Sequence, residues 1–173
     1  MRILGIDPGS RLTGYGLVET TGDRIVWLQH GAIRTNGDDF PARLAQIYAG
    51  IGEVLETWQP QEVAIERVFV HRNADSALKL GHARSAAICA TFAHTVTLYE
   101  YAPRAVKQAV TGLGGAGKEQ VARMVGMLLG LKEELQADAA DALAIAICHS
   151  NSRRLNTREI GRASCRERVY TKV

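Results

Sequence analysis

Arg2-Ile3-Leu4-Gly5-Ile6-Asp7-Pro8-Gly9 decides how this chain is read. Ile3 to Ile6 is a short apolar run of the kind that forms a buried strand. Asp7 closes the run, and Pro8-Gly9 turns the chain at once. A carboxylate at the end of a buried strand is costly unless something compensates its charge. The arrangement returns at Val63-Ala64-Ile65-Glu66. Two further acids, Asp138 and Asp141, lie three apart in the Ala-rich run Asp138-Ala139-Ala140-Asp141-Ala142-Leu143-Ala144-Ile145-Ala146-Ile147. Three such places in one chain imply a shared cation site.

Outward from that strand, Thr13–Glu19 and Arg24–Arg34 are extended candidates separated by Thr20-Thr21-Gly22-Asp23, a turn composition. Three antiparallel strands therefore open the chain. Leu44, Ile47, Tyr48, Ile51, Val54, Leu55 and Trp58 recur at helical spacing over Phe40–Trp58. Asp39 is placed to cap that helix, Pro41 lies in its first turn, and Pro60 lies beyond its end. Glu62–Glu66 follows as a buried strand, Asn73–Ala93 as a long helix and Val96–Tyr101 as a strand. Pro103–Val110 and Lys118–Leu129 are helices around a glycine-rich turn, and Gln136–Ser150 is the last helix. The expected fold class is α/β: a mixed five-stranded sheet, three antiparallel strands plus two parallel, with helices on both faces. The Asn73–Ala93 helix is apolar on more than one face, so it buries more than one face, against its own chain or a second subunit.

The 173 residues suffice for one domain with a real core. The ordinary charged fraction fits a soluble globular protein. No signal-like start and no bilayer-length apolar run is present, which predicts a cytoplasmic protein with no membrane contact. Cys89, Cys148 and Cys165 are odd in number and far apart, as reduced thiols are. The net charge of +3 belongs to the end of the chain: residues 153–173 hold seven Arg or Lys and two Glu, which leaves residues 1–152 at −2. Any nucleic-acid contact must then rest on local patches. Residues 1–152 are expected to form the single domain. Residues 153–173 form a basic tail; Glu159 to Val169 has no clear helical or strand period and reads as translated adaptor sequence, and roughly 157–173 is expected to be disordered or packed incidentally.

Residues three apart on a helix share a face, so Asp138 and Asp141 continue the stripe of Ile145 and Cys148 toward the sheet. Asp7 and Glu66 belong at the carboxyl ends of strands, where open α/β sheets place their sites. Crowded carboxylates repel one another, and Mg²⁺ or Mn²⁺ with oxygen ligands relieves the repulsion. The plain structural alternatives are a capping role for Asp138 and a surface position for Glu66. Gly112-Leu113-Gly114-Gly115-Ala116-Gly117-Lys118-Glu119 nearly spells a phosphate-binding P-loop. That loop requires Ser or Thr where Glu119 stands and a strand where Arg104–Thr111 reads as helix, so no ATP binding is expected. What survives is a flexible turn presenting Lys118 to a phosphate. Phe69, flanked by Arg67, His71 and Arg72, is either a core residue or an aromatic wedge for distorted DNA. His30, His82, His94 and His149 show no ligand spacing.

Gly5-Ile6-Asp7-Pro8-Gly9-Ser10 with Thr13-Gly14-Tyr15-Gly16 resembles the opening of RuvC-type Holliday-junction resolvases. Ala64-Ile65-Glu66, Phe69 and the run Asn73 to Gly81 resemble the same family, as does Gln136 to Ala144. The resemblance covers about residues 1–152 and stops after about His149. It implies an RNase H-like fold, a homodimer, and Mg²⁺-dependent cutting of two symmetry-related strands of a four-way DNA junction beside the branch-migration proteins RuvA and RuvB. It further implies that Asp7, Glu66, Asp138 and Asp141 bind metal and that Phe69 contacts bases. Lys107 and Lys118 would engage DNA, with Arg72 and Asn73 as further DNA-binding candidates. An actin-like or sugar-kinase ATPase would share the first motif but needs a second copy of the domain. An RNase H-like nuclease acting on RNA and a non-catalytic junction binder are the remaining alternatives.

Overall fold

A computed structural model of the chain describes residues 1–67, 73–132 and 135–167, with side chains described as far as Leu155. The opening apolar run is strand β1 (Arg2–Asp7), and β2 (Leu12–Thr21) and β3 (Arg24–Arg34) follow it as antiparallel neighbours. Helix α1 (Phe40–Trp58) begins where the sequence places it, with the Asp39 side chain accepting from the Ala42 amide at 2.9 Å. Strands β4 (Glu62–Glu66) and β5 (Thr97–Tyr101) then add in parallel, on either side of helix α2 (Ala74–Thr91). The sheet order is β3-β2-β1-β4-β5, the mixed arrangement the sequence predicts. Helices α3 (Pro103–Thr111), α4 (Lys118–Leu129) and α5 (Ala137–Glu167) complete the chain.

The two-residue period of the strands divides the core into two layers. Leu4, Ile6, Leu17, Val63 and Ile65 face α1 and α2, where Ile47, Ile51, Leu55, Ala83 and Ala87 meet them. Ile3, Val18 and Ala64 face the other way, against Val106, Val110, Val121, Val125 and the run Leu143 to Cys148. The second layer is thin at the centre. A Cβ on Gly5 would lie 2.1 Å from the Ala142 carbonyl oxygen, and one on Gly14 would lie 2.1 Å from that of Asp138. Helix α5 therefore rests on bare strand backbone, and any side chain at these two glycines would lift it.

The differences from the sequence reading lie at element ends. β2 is longer than Thr13–Glu19, and Asn73 caps α2 instead of joining it. The largest correction is α5, which continues past Ser150 to Glu167, so backbone regularity extends into the tail that was expected to lack it. No proline interrupts the run, and an isolated Gly161 only weakens a helix. Its continuation is also anchored: Arg153 pairs with Glu62, and Arg154 pairs with Asp23 at 2.8 Å. Among the described residues no helix is long and apolar enough to cross a membrane.

Candidate active site

β1 and β4 run parallel and adjacent, with Ile6 opposite Ile65, so their ends bring Asp7 and Glu66 side by side. Both alternate in phase with residues that face α5: Gly5 for Asp7 and Ala64 for Glu66. The first turns of α5 carry Asp138 and Asp141 over the same edge, and the glycine contact at Gly14 fixes the height of Asp138. The turn after Asp7 is held from within. The buried Thr13 hydroxyl donates to the Gly9 carbonyl at 2.9 Å and accepts from the Gly9 amide at 3.3 Å.

The electrostatics of this edge are unbalanced. Asp7 is pushed up from 3.8 to about 7, first by burial and then by the negative charges of Asp141, Glu66 and Asp138, against the opposing effect of Lys118. Glu66 is raised by burial and by Asp141, with Lys118 and Lys107 working the other way. Lys118, from the first turn of α4, meets Asp141 at 3.3 Å, and that carboxylate raises its ammonium above the ordinary value. Among the described residues, no three carboxylates, imidazoles or thiols stand close enough to hold an ion as placed. The donor set still fits one class of ligand. Four carboxylates in mutual repulsion suit a divalent cation such as Mg²⁺.

The family model described as Crossover junction endodeoxyribonuclease RuvC matches residues 3–149. The chain belongs to the RuvC family. It is 52% identical over 166 residues to the Crossover junction endodeoxyribonuclease RuvC of Vibrio vulnificus strain CMCP6, an alignment covering 96% of each chain. It is 57% identical over 150 residues to that of Actinobacillus pleuropneumoniae serotype 5b strain L20, covering 87% of this chain and 78% of the other. Among solved structures it is similar to T. thermophilus RuvC in complex with Holliday junction substrate, with a TM-score of 0.84 and 39% identity over 91% of this chain and 97% of that one. The fold is RNase H-like, and RuvC proteins are metal-dependent crossover junction endonucleases.

The remaining sequence candidates fall in three groups. Lys107 on α3 and Lys118 lie close enough to Glu66 to affect its ionisation. Asn73 stands at the start of α2, where its side chain accepts from the amides of Asp75 at 3.0 Å and Ser76 at 3.2 Å. Phe69 and Arg72 lie outside the described residues. The near-P-loop runs from the left-handed Gly112 that ends α3 to the start of α4, so a helix precedes it, as the sequence indicated. Leu78 on α2 and Phe92 at its C-cap are 64% and 76% exposed, while Ala83, Ala87 and Ala90 are buried.

Sequence reasoning missed two sets of residues that hold the two ends of β4. Arg84 on α2 reaches the carbonyl of Glu66 at 3.1 Å. His149 is fully buried between Tyr101 at 2.7 Å and Glu62 at 2.6 Å. Neither shows a local pattern, because each contact joins elements far apart in the chain. The one available signal was charge: Arg84 in an Ala-rich helix and Glu62 at the start of a buried strand both require partners.

Proposed function

We propose that this protein resolves four-way DNA junctions by paired, symmetric, Mg²⁺-dependent hydrolysis of two opposed strands during recombination and repair. The observation that carries the proposal is the gathering of Asp7, Glu66, Asp138 and Asp141 on one sheet edge. They stand there with too little positive charge, in a chain more than half identical to RuvC proteins. In this reading Asp7, Glu66, Asp138 and Asp141 would together hold the Mg²⁺ through their carboxylate oxygens. When bound there, Mg²⁺ would supply an activated water and stabilise the leaving 3′ oxygen. The water oxygen bonds to phosphorus in line with the P–O3′ bond, which breaks. One end keeps a 5′-phosphate; the attacking water gives up a proton to solvent, and the departing oxygen takes one from solvent to become a 3′-hydroxyl. Lys118, which now meets Asp141, would be released to hold a phosphate when that carboxylate serves the metal, and Lys107 would hold a neighbouring phosphate. Both contacts make binding salt-sensitive. Phe69, with Arg72 and Asn73 beside it, probes the unstacked centre of the junction. Two copies related by a two-fold axis through the exposed face of α2 present two sites to opposed strands. RuvA and RuvB branch-migration proteins are the expected companions, Mn²⁺ an effective substitute, and residues 153–173 a tail outside the catalytic unit.

The test is a synthetic four-way junction with a fixed, T-containing centre, incubated with Mg²⁺, with EDTA, and beside a linear duplex and an RNA strand of the same sequence. Paired nicks on the junction alone, with Mg²⁺ alone, are expected. Cleavage of RNA in preference would move the reading to an RNA nuclease. Tight binding without nicks would reduce the protein to a junction binder.

A further inference from the structure

The end of β4 has to hold Glu66 against the repulsion of its neighbours, and the sheet gives it little help there. The pairing of β1 with β4 stops at Ile6 and Ile65. The next position along β1 that faces β4 in the same way is Pro8, which has no N–H to extend the ladder. On the other side Arg67 donates its amide to Tyr101 at 2.8 Å, the last rung toward β5. The carbonyl of Glu66 instead accepts from Nε of Arg84 at 3.1 Å. The same guanidinium sends its NH2 group to Glu100 on β5 at 2.6 Å, and Glu100 also pairs with Arg67 at 3.4 Å. The Arg84 side chain is 18% exposed, and the adjacent Ala83 and nearby Ala87 are fully buried, so the packing of α2 sets where the guanidinium stands.

We infer that Arg84 is a positioning residue for cleavage: its planar guanidinium fixes the main chain of Glu66 and thereby the carboxylate that Glu66 brings to the cation site. This rests on the assignment of Glu66 to that site. The shape of the guanidinium matters. It bonds a carbonyl and a carboxylate through different nitrogens held in one plane, whereas a lysine ammonium is a single point of charge on a flexible stem. Groups that orient metal ligands from outside commonly change metal affinity or activity by roughly 10–100-fold when removed. A ligand whose backbone drifts gives a site that still fills, at higher metal concentration.

The experiment measures single-turnover junction cleavage against Mg²⁺ concentration for the wild type, Arg84→Met, Arg84→Lys and Glu66→Gln, with junction binding in EDTA and thermal unfolding alongside. Arg84→Met and Arg84→Lys are expected to shift half-saturation about tenfold to higher Mg²⁺. Junction affinity in EDTA stays within about twofold, and much of the cleavage returns at high Mg²⁺. Loss of folded protein alone would scale every rate without moving half-saturation, so Arg84→Lys keeps the test decisive if Arg84→Met folds poorly. Half-saturation unchanged in both Arg84 variants, with Glu66→Gln inactive, overturns the role of Arg84 and leaves the site standing. Glu66→Gln cutting with the wild-type Mg²⁺ dependence removes Glu66 from the site, and the proposal for Arg84 falls with it.

Discussion

Glu62 and Glu66 lie four residues apart on the same strand, point to the same side of the sheet, and are treated in opposite ways. At the first end of β4, burial raises Glu62, yet hydrogen bonds from Arg153 and His149 more than offset it and hold the carboxyl below its ordinary value. His149 is itself kept neutral chiefly by burial, with Glu62 pulling the other way. An ionised Glu62 only accepts, so Nε2 of His149 donates to it and Nδ1 accepts from the Tyr101 hydroxyl. Every polar group of that end has a partner, and Arg153 supplies the positive charge. At the other end Glu66 and Asp7 are both raised, with Lys118 and Lys107 too little to balance four acids. A compensated carboxylate holds the fold together; an uncompensated one awaits a ligand. Under the proposed function, the contrast separates a structural glutamate from a metal-binding one where residue type and strand context are the same.

The hardest way to break the contrast is at Asp7. Asp7→Asn should lower junction cleavage by about a thousandfold or more while leaving binding in EDTA nearly unchanged. Retained cleavage would take Asp7 out of the reaction. The same substitution should stabilise the metal-free protein at pH 8, by at most roughly 4 kcal/mol if Asp7 moves from 3.8 unfolded to about 7 folded. The sign follows from proton counts. Between those two values the folded state keeps a proton that the unfolded state has lost, so wild-type stability falls as pH rises from about 4 to about 7. The advantage of Asn therefore grows over that window and vanishes below it, as urea unfolding at several pH values would reveal. A wild type more stable than the variant at pH 8 would show that this carboxylate is already compensated.

Glu62→Gln should do the reverse, costing about 1–3 kcal/mol at neutral pH through the charged hydrogen bonds it weakens. Because the folded carboxyl titrates below its unfolded value of 4.5, its contribution is present above 4.5 and is lost as pH falls through the lower folded value. The Mg²⁺ dependence of cleavage should not move. A shift there would mean that the two ends of β4 are not separate. The smallest effect belongs to Asp75→Asn, which removes an exposed pair one turn long, Lys79 to Asp75 at 2.6 Å, and should change stability by only about 0.3–0.5 kcal/mol.

Much of this was legible in the sequence, for identifiable reasons. Strand β1 and helix α1 are short-range patterns, an apolar run with a Pro-Gly stop and an apolar stripe behind an Asp cap, and they appear where those patterns put them. Asp7 and Glu66 were visible because charge at the end of a buried run is an anomaly in one dimension. Arg84, Glu62 and His149 were not, because the cost each avoids is defined only by a partner on another element; His149 and Glu62 are 87 positions apart. The end of α5 was misplaced for a related reason: its continuation is held by Glu62 and Asp23, which no window around Ser150 contains. Lys118 was read as reaching outward to phosphate, and its present bond to Asp141 depends on the fold that brings α4 beside α5.

The order in which the chain supplies this site has a consequence for its synthesis. Asp7 leaves the ribosome with the first strand, Glu66 with the fourth, and Asp138 and Asp141 only with the last helix, which must then settle onto the bare backbone at Gly5 and Gly14. A chain that ends before α5 thus holds two of the four acids and none of the helix that closes over them. Under the proposed function, the ability to cut would arrive only once α5 has been made and has settled on the sheet.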